Sequence, residues 1–262
     1  MPQEQLKSVT DFQIITSLRY HPGLATLQRN LFDSNTLDAD SPFYLLSFHL
    51  DRLLLAAKHF DFPTSLLEDD ESRAQFKTWL IATIRKLDPP PPLPAKLRIA
   101  LDREDHVTLS TDLAPGVSQY DLFPASLRTP KKLPQPPWTV FLSKIHISPS
   151  AFTLHKTTYR PMYEEARSIL PPPSETKSEV LLYNDEDEIS EGSITTPYFY
   201  REGRWITPPL SCGGNTGTTR RWALERKLCV EDIILAKELV DGENCWLSNG
   251  VRGFFSGKIS LS

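Results

Sequence analysis

Cysteine is scarce in this chain. The three present, Cys212, Cys229 and Cys245, share no metal-ligand spacing with one another or with the six histidines, so no metal site is expected. An odd, sparse count suits reduced thiols in the cytoplasm. Long apolar runs are also missing. The longest, such as Leu53 to Ala57, fall far short of a membrane span. The N-terminal MPQEQLKSVTDF has neither the apolar core of a secretion signal nor an Arg-rich transit pattern. An excess of positive charge is absent too. The net charge is −4, which leaves no global basic field to attract nucleic acid or an anionic membrane.

What is present is enough chain, 262 residues, for one large domain or two modest ones with real cores. Proline is the one residue in excess, at 23, and it clusters at breaks. Phe12 to Tyr20 reads as a β-branched strand ending at the His21-Pro22-Gly23 turn. Phe43 to Phe60 reads as a helix, with Leu46, Leu50, Leu53, Leu54 and Ala57 on one face. A second helix runs from Asp70 to Leu87. The stiff DPPPPLP connector follows, then a hairpin of Lys96 to Leu101 and His106 to Ser110. Periodicity is lost between Ala114 and Pro137. The expected organisation is therefore an α/β unit over 1–115, a connector over 116–137 and a larger unit over 138–262.

In that second part, Trp138 to Ile147 reads as a strand leading to Lys156. Tyr159 to Leu170 reads as a helix stopped by Pro171-Pro172-Pro173, and Glu179 to Tyr183 as a buried strand. Strand Tyr198 to Tyr200, helices Arg221 to Leu228 and Val230 to Glu238, and strand Asn244 to Ser248 complete it.

Several polar residues stand out against this frame. Lys156, in LHKTTYR, sits between an apolar run and two hydroxyls; taken alone it reads as a solvated cap. Arg52 is flanked by core leucines, so it is expected to be part-buried and to need an anion, a carboxylate or a phosphate. Ser17 and Arg19 share strand parity, and read first as a solvent-facing pair and second as groups aimed into a cleft. Glu191-Gly192-Ser193 places a carboxylate at a strand mouth, which is either an ordinary turn or a ligand contact. SCGGNTGTTR at 211–220 is a glycine- and threonine-rich loop opening a helix, the way backbone amides are presented to phosphate. It lacks the Gly-Lys-Ser/Thr ending of a P-loop and is not GxGxxG. Ser248-Asn249-Gly250-Val251-Arg252 closes a strand in a turn bearing one arginine.

Taken in order, TSLRYHPG with HLDRL, HKTTYR, Glu-Gly-Ser, Gly-Thr-Thr-Arg and SNGVRGF resemble the fold-type IV pyridoxal-phosphate enzymes. These are branched-chain and D-amino-acid aminotransferases and 4-amino-4-deoxychorismate lyases, and the lyases are the nearest match. The resemblance spans nearly the whole chain. It implies an α/β (α+β) fold with a small N-terminal α/β domain and a larger C-terminal pseudo-barrel. It also implies pyridoxal 5'-phosphate as cofactor, a small-molecule substrate and a homodimer.

Carried over residue by residue, it makes Lys156 the amine that bonds the cofactor aldehyde and shuttles the proton. Glu191 pairs with the ring nitrogen. Arg52, with Thr218, Thr219 and Asn249, holds the phosphate, and Asn215 lies against the ring. Ser17 is a candidate catalytic hydroxyl, and Arg252 and Arg19 are candidates to hold substrate carboxylates. The chain departs from the pattern at Asn215, where the family has leucine, at Thr196, where it has asparagine, and at Ser17, which is threonine in some lyases. The expected reaction is cleavage of aminodeoxychorismate to 4-aminobenzoate and pyruvate. An aminotransferase on the same scaffold is the alternative, and a protein that keeps the fold without the chemistry stays open.

Overall fold

The computed structural model describes residues 11–129, 131, 136–170 and 177–261. The proline run at 171–173 lies outside them. The chain forms two compact units, one of Met1–Val117 with His155–Tyr159 and one of Ser118–Leu154 with Arg160–Ser262.

The first unit is built on a three-stranded antiparallel sheet: β1 (Ile14–Tyr20), β2 (Ala95–Leu101) and β3 (Val107–Leu113), in that order. β1 and β2 pair from Ile14↔Leu101 to Tyr20↔Ala95. Helix α1 (Leu24–Arg29) follows β1, and α2 (Leu46–Phe60) packs on it. α2 starts three residues later than its apolar spacing suggests. Phe43 is bridged to Tyr20, the Phe43 carbonyl accepts from Gln28 Nε2 at 2.8 Å, and Leu45 is left-handed with φ +52°, so the helix begins only at Leu46. Helix α3 (Asp70–Arg85) is capped by the Asp69 carboxylate, which accepts from the Ser72 amide at 2.7 Å; it buries Phe76, Leu80 and Ile84.

The segment around Lys156 belongs to this unit. It lies along β1: Ile15 donates to the Lys156 carbonyl at 2.9 Å, Ile14 bridges to Thr157, and Gln13 and Thr158 exchange bonds of 2.9 Å.

The second unit holds α4 (Gln119–Leu122), β4 (Trp138–Leu142), α5 (Ala151–Leu154), α6 (Pro161–Arg167), β5 (Ser178–Tyr183), β6 (Ile189–Gly192), β7 (Thr196–Arg201), β8 (Arg204–Thr207), α7 (Thr218–Glu225), β9 (Val230–Glu231), β10 (Asn244–Asn249) and β11 (Gly253–Ser260). Its eight strands form one mixed sheet, ordered β6-β5-β4-β11-β10-β7-β8-β9. β6, at one edge, also packs against β7 near the other, so the sheet is curled. Along β5 the pleat sends Leu181 into a core with Val140, Ile189, Phe199 and Leu247, and sends Val180 and Leu182 into a second core with Tyr163 and Ala166 of α6.

Several elements differ from the sequence reading. The strand expected over 138–147 ends at Leu142, because the Ser143 hydroxyl donates to the Ile145 carbonyl and accepts from its amide. Lys156 thus follows the short helix α5, not a strand. The helix expected from Tyr159 begins at Pro161, a residue suited to a first turn. The helix expected at 221 begins at Thr218. The helix expected over 230–238 is absent. Its place is taken by β9 and a 3₁₀ turn at Ala236–Glu238, because the Ile234 carbonyl accepts from Ile189 and the Ala236 amide donates to Asp187. Among the described residues, no helix is long and apolar enough to cross a membrane.

Candidate active site

Each unit carries a polar cluster. In the first unit, β1 and α2 bring Thr16, His49 and Arg52 together. His49 and Arg52 stand three apart on one face of α2, and both are buried. Arg52 Nη2 donates to the Thr16 hydroxyl. His49 Nδ1 lies 2.6 Å from the Thr16 hydroxyl and 3.4 Å from Arg52 Nη2. The His49 pKa is held well below the ordinary value by burial first, then by the charges of Arg52 and Lys156. Lys156 therefore stands within the field of this cluster.

Ser17 and Arg19 alternate to the opposite face of β1 from Thr16. Arg19 is not the solvent-facing group its parity first suggests. It is 4% exposed, donates to the Pro115 carbonyl at 2.9 Å, and burial lowers its pKa. His155, beside Lys156, packs at a tilt against His59 with ring centroids 4.5 Å apart. Its pKa is lowered to about 4 by burial, then by His59.

In the second unit, Glu191 stands on β6. Tyr163 of α6 donates to Glu191 Oε1 at 2.6 Å. The next residues are fixed from several sides. Arg160 donates to the Ser193 carbonyl at 2.8 Å and Arg167 to the Ser193 hydroxyl at 2.6 Å. The Ser193 hydroxyl donates in turn to Glu179, which is fully buried and also accepts from the Ile194 amide at 3.2 Å.

The loop before α7 runs close to its neighbours. A Cβ on Gly214 would stand 2.4 Å from the Ser190 carbonyl, and one on Gly217 would stand 2.7 Å from the Thr196 hydroxyl. Gly217 caps α7, whose first residues, Thr218 and Thr219, are buried. The Thr219 hydroxyl accepts from Ser248, which is bonded to Tyr198, so its oxygen is held in place while its own proton is left to donate. The side-chain oxygens of Thr195 and Thr216 are buried and have no hydrogen-bond partner. The Asn249 side chain is occupied by its own turn: Oδ1 accepts from Val251 and Arg252, and Nδ2 donates to the Ile194 carbonyl at 3.3 Å. Asn215 is half-buried. Arg252 lies 5.1 Å over the Trp138 ring, with its pKa lowered by burial and opposed by Glu179.

These features suit a phosphorylated aromatic aldehyde, unit by unit. The first unit offers an amine in the field of a buried arginine. The second offers an oriented carboxylate, a glycine cradle that a Cβ would fill, and two buried hydroxyls awaiting partners. Thr16, His49, Tyr163, Arg160 and Glu179 were not singled out in the sequence. The signal for His49 is its spacing of three from Arg52, and for Tyr163 its spacing of three from Arg160.

The fold and the comparisons with known proteins define a pyridoxal-phosphate enzyme of fold type IV. The family model for amino-transferase class IV matches residues 30–258, and the chain belongs to that family. It is similar to a Schizosaccharomyces pombe protein provisionally named an aminodeoxychorismate lyase, 26% identical over 243 residues that cover 89% of this chain and 91% of that protein. Among solved structures it resembles a provisionally named amino-acid aminotransferase from Mesorhizobium loti, with TM-score 0.68, 24% identity, and coverage of 95% of this chain and 100% of that one. It also resembles 4-amino-4-deoxychorismate lyase from Pseudomonas aeruginosa, with TM-score 0.63, 16% identity, and coverage of 94% and 82%. At these identities the solved structures show the fold.

Proposed function

We propose that this chain is a pyridoxal-phosphate-dependent carbon–oxygen lyase that converts 4-amino-4-deoxychorismate to 4-aminobenzoate and pyruvate. The observation that carries this reading is the likeness to the S. pombe protein across about nine-tenths of both chains. When bound, pyridoxal phosphate supplies an electron sink for the carbon that loses its proton. The rest is the work of the chain. Lys156 Nζ would hold the cofactor aldehyde and would take the proton from the carbon bearing the substrate amine; both tasks need the free amine. Glu191 pairs with the ring nitrogen. Arg52 forks onto the phosphate, assisted by the amides of Thr218 and Thr219 at the start of α7. Asn215 borders the ring, and the turn at Asn249 helps to hold the phosphate. Arg252 holds a substrate carboxylate, with Arg19 as a second such group, and Ser17 is the candidate hydroxyl for proton relay. The enzyme acts as a cytoplasmic homodimer. The free, buried state of Cys212, Cys229 and Cys245 suits a reducing compartment.

Three measurements test this reading. Borohydride reduction of the cofactor-loaded protein should attach the label at Lys156, and Lys156→Ala should abolish it. Aminodeoxychorismate supplied without a keto acid should then release pyruvate over many turnovers. Release that stops after one turnover would make the enzyme an aminotransferase. Light scattering should give twice the chain mass.

A further inference from the structure

Arg160, Tyr163 and Arg167 recur at helical spacing along α6 and its N-cap. All three reach one short stretch, Glu191 to Ser193, which contains the acid of the proposed site. The Tyr163 hydroxyl is the one that touches the acid itself, at 2.6 Å from Oε1. Its other nearby acceptor, the Thr153 carbonyl, is 3.5 Å away, too far to compete. The Arg160 guanidinium lies 3.8 Å over the Tyr163 ring, and the ring is packed with Val180 and Leu182, so the hydroxyl is aimed from a fixed platform. Burial and the neighbouring Glu191 both raise the phenol pKa far above its ordinary value, so Tyr163 remains a donor throughout the physiological range.

We propose that Tyr163 is a positioning residue for Glu191: its hydroxyl fixes the rotation of the carboxylate and favours its ionised form, so that the acid meets the cofactor's ring nitrogen in one orientation. A carboxylate that accepts a phenolic hydrogen bond is stabilised as the anion, and an anion beside the ring nitrogen keeps that nitrogen protonated. The inference rests on the proposed function and adds to it a residue that acts through the acid.

The test is a double-mutant cycle on the whole protein, with Tyr163→Phe, Glu191→Gln and the pair. The readouts are the affinity of the cofactor-free protein for pyridoxal phosphate, by fluorescence titration, and the pH dependence of the bound cofactor's visible absorbance. Tyr163→Phe keeps the ring and its arginine. It should weaken binding on the order of tenfold, the size of one lost hydrogen bond to a charged group. It should also move the pH midpoint, and both effects should be markedly smaller when residue 191 is glutamine, whose oxygen accepts the phenol without the charge. An unchanged affinity and pH profile would overturn the inference. So would an effect of equal size in the Glu191→Gln background, since that marks simple loss of packing. Should Tyr163→Phe fold poorly by circular dichroism, 3-fluorotyrosine at position 163 keeps the shape and strengthens the donor; an unmoved pH profile there overturns the inference as well. Failure of the unaltered protein to bind cofactor is a separate result that removes the proposed function, and this inference with it.

Discussion

Glu179 is a carboxylate with no exposed surface, and its surroundings explain how the charge is tolerated. It accepts from the Ser193 hydroxyl and the Ile194 amide, and Arg167 stands 3.6 Å away. Glu179→Ala would strand these donors beneath the loop that follows Glu191. The expected loss is roughly 2–4 kcal/mol, reduced from the value for a fully buried pair because Arg167 is partly solvated. Urea denaturation checks this; a loss below about 1 kcal/mol would mean that the donors find water instead. Residue types of this kind were partly legible in the sequence. Flanking leucines mark Arg52 as part-buried, and the glycine and hydroxyls that follow Glu191 mark it as a candidate ligand contact. Their partners were not legible. Thr16 lies 36 residues from Arg52, and Tyr163 lies 28 from Glu191. Periodicity reports which face a residue takes, and says nothing about what comes to meet it.

Elements were legible where the chain's own backbone satisfied itself. α3 matches its apolar spacing and its Asp69 cap because helix and cap are both local. The stretch 230–238 has a helical composition, but the Asp187–Ile189 turn takes its backbone groups, so tertiary pairing overrides propensity. β11 went unread because it follows a turn whose key residue depends on a distant neighbour. Gly253 there has φ +66°, and a Cβ would stand 2.3 Å from the Asp121 carbonyl. Gly203 has φ +82° in the turn between β7 and β8, with open space around it. Gly203→Ala should therefore cost about 1 kcal/mol from backbone strain alone. Gly253→Ala should cost roughly 2–4 kcal/mol, since the α4 backbone must also move. Equal losses in urea denaturation would show that α4 yields freely and that crowding adds nothing.

At the scale of the whole molecule, the pattern of residues suggested a break near residue 115, but not that His155–Tyr159 packs with the first unit. That return is made by backbone bonds to β1, which no local pattern encodes. It places His155 in that unit together with His49, and both are held below the ordinary histidine pKa of 6.5, His155 at about 4. A histidine lowered on folding binds its proton more readily in the unfolded chain. Between about pH 6.5 and 4 the unfolded state therefore carries more protons, and stability falls as pH falls. Each such histidine contributes at most about 1.4 kcal/mol per pH unit, and His155, being partly exposed, contributes less because solvent screens it. Asp38 acts in the opposite sense, because burial raises its carboxyl and protonation then favours the folded chain. Comparison of His155→Gln with the unaltered protein separates the histidine share from it. Urea midpoints should drop steadily from about pH 7 to 5, and His155→Gln should make the slope shallower without removing it, since His49 still titrates. A slope that His155→Gln leaves unchanged over that window would mean that the His155 imidazole is not held neutral by its surroundings.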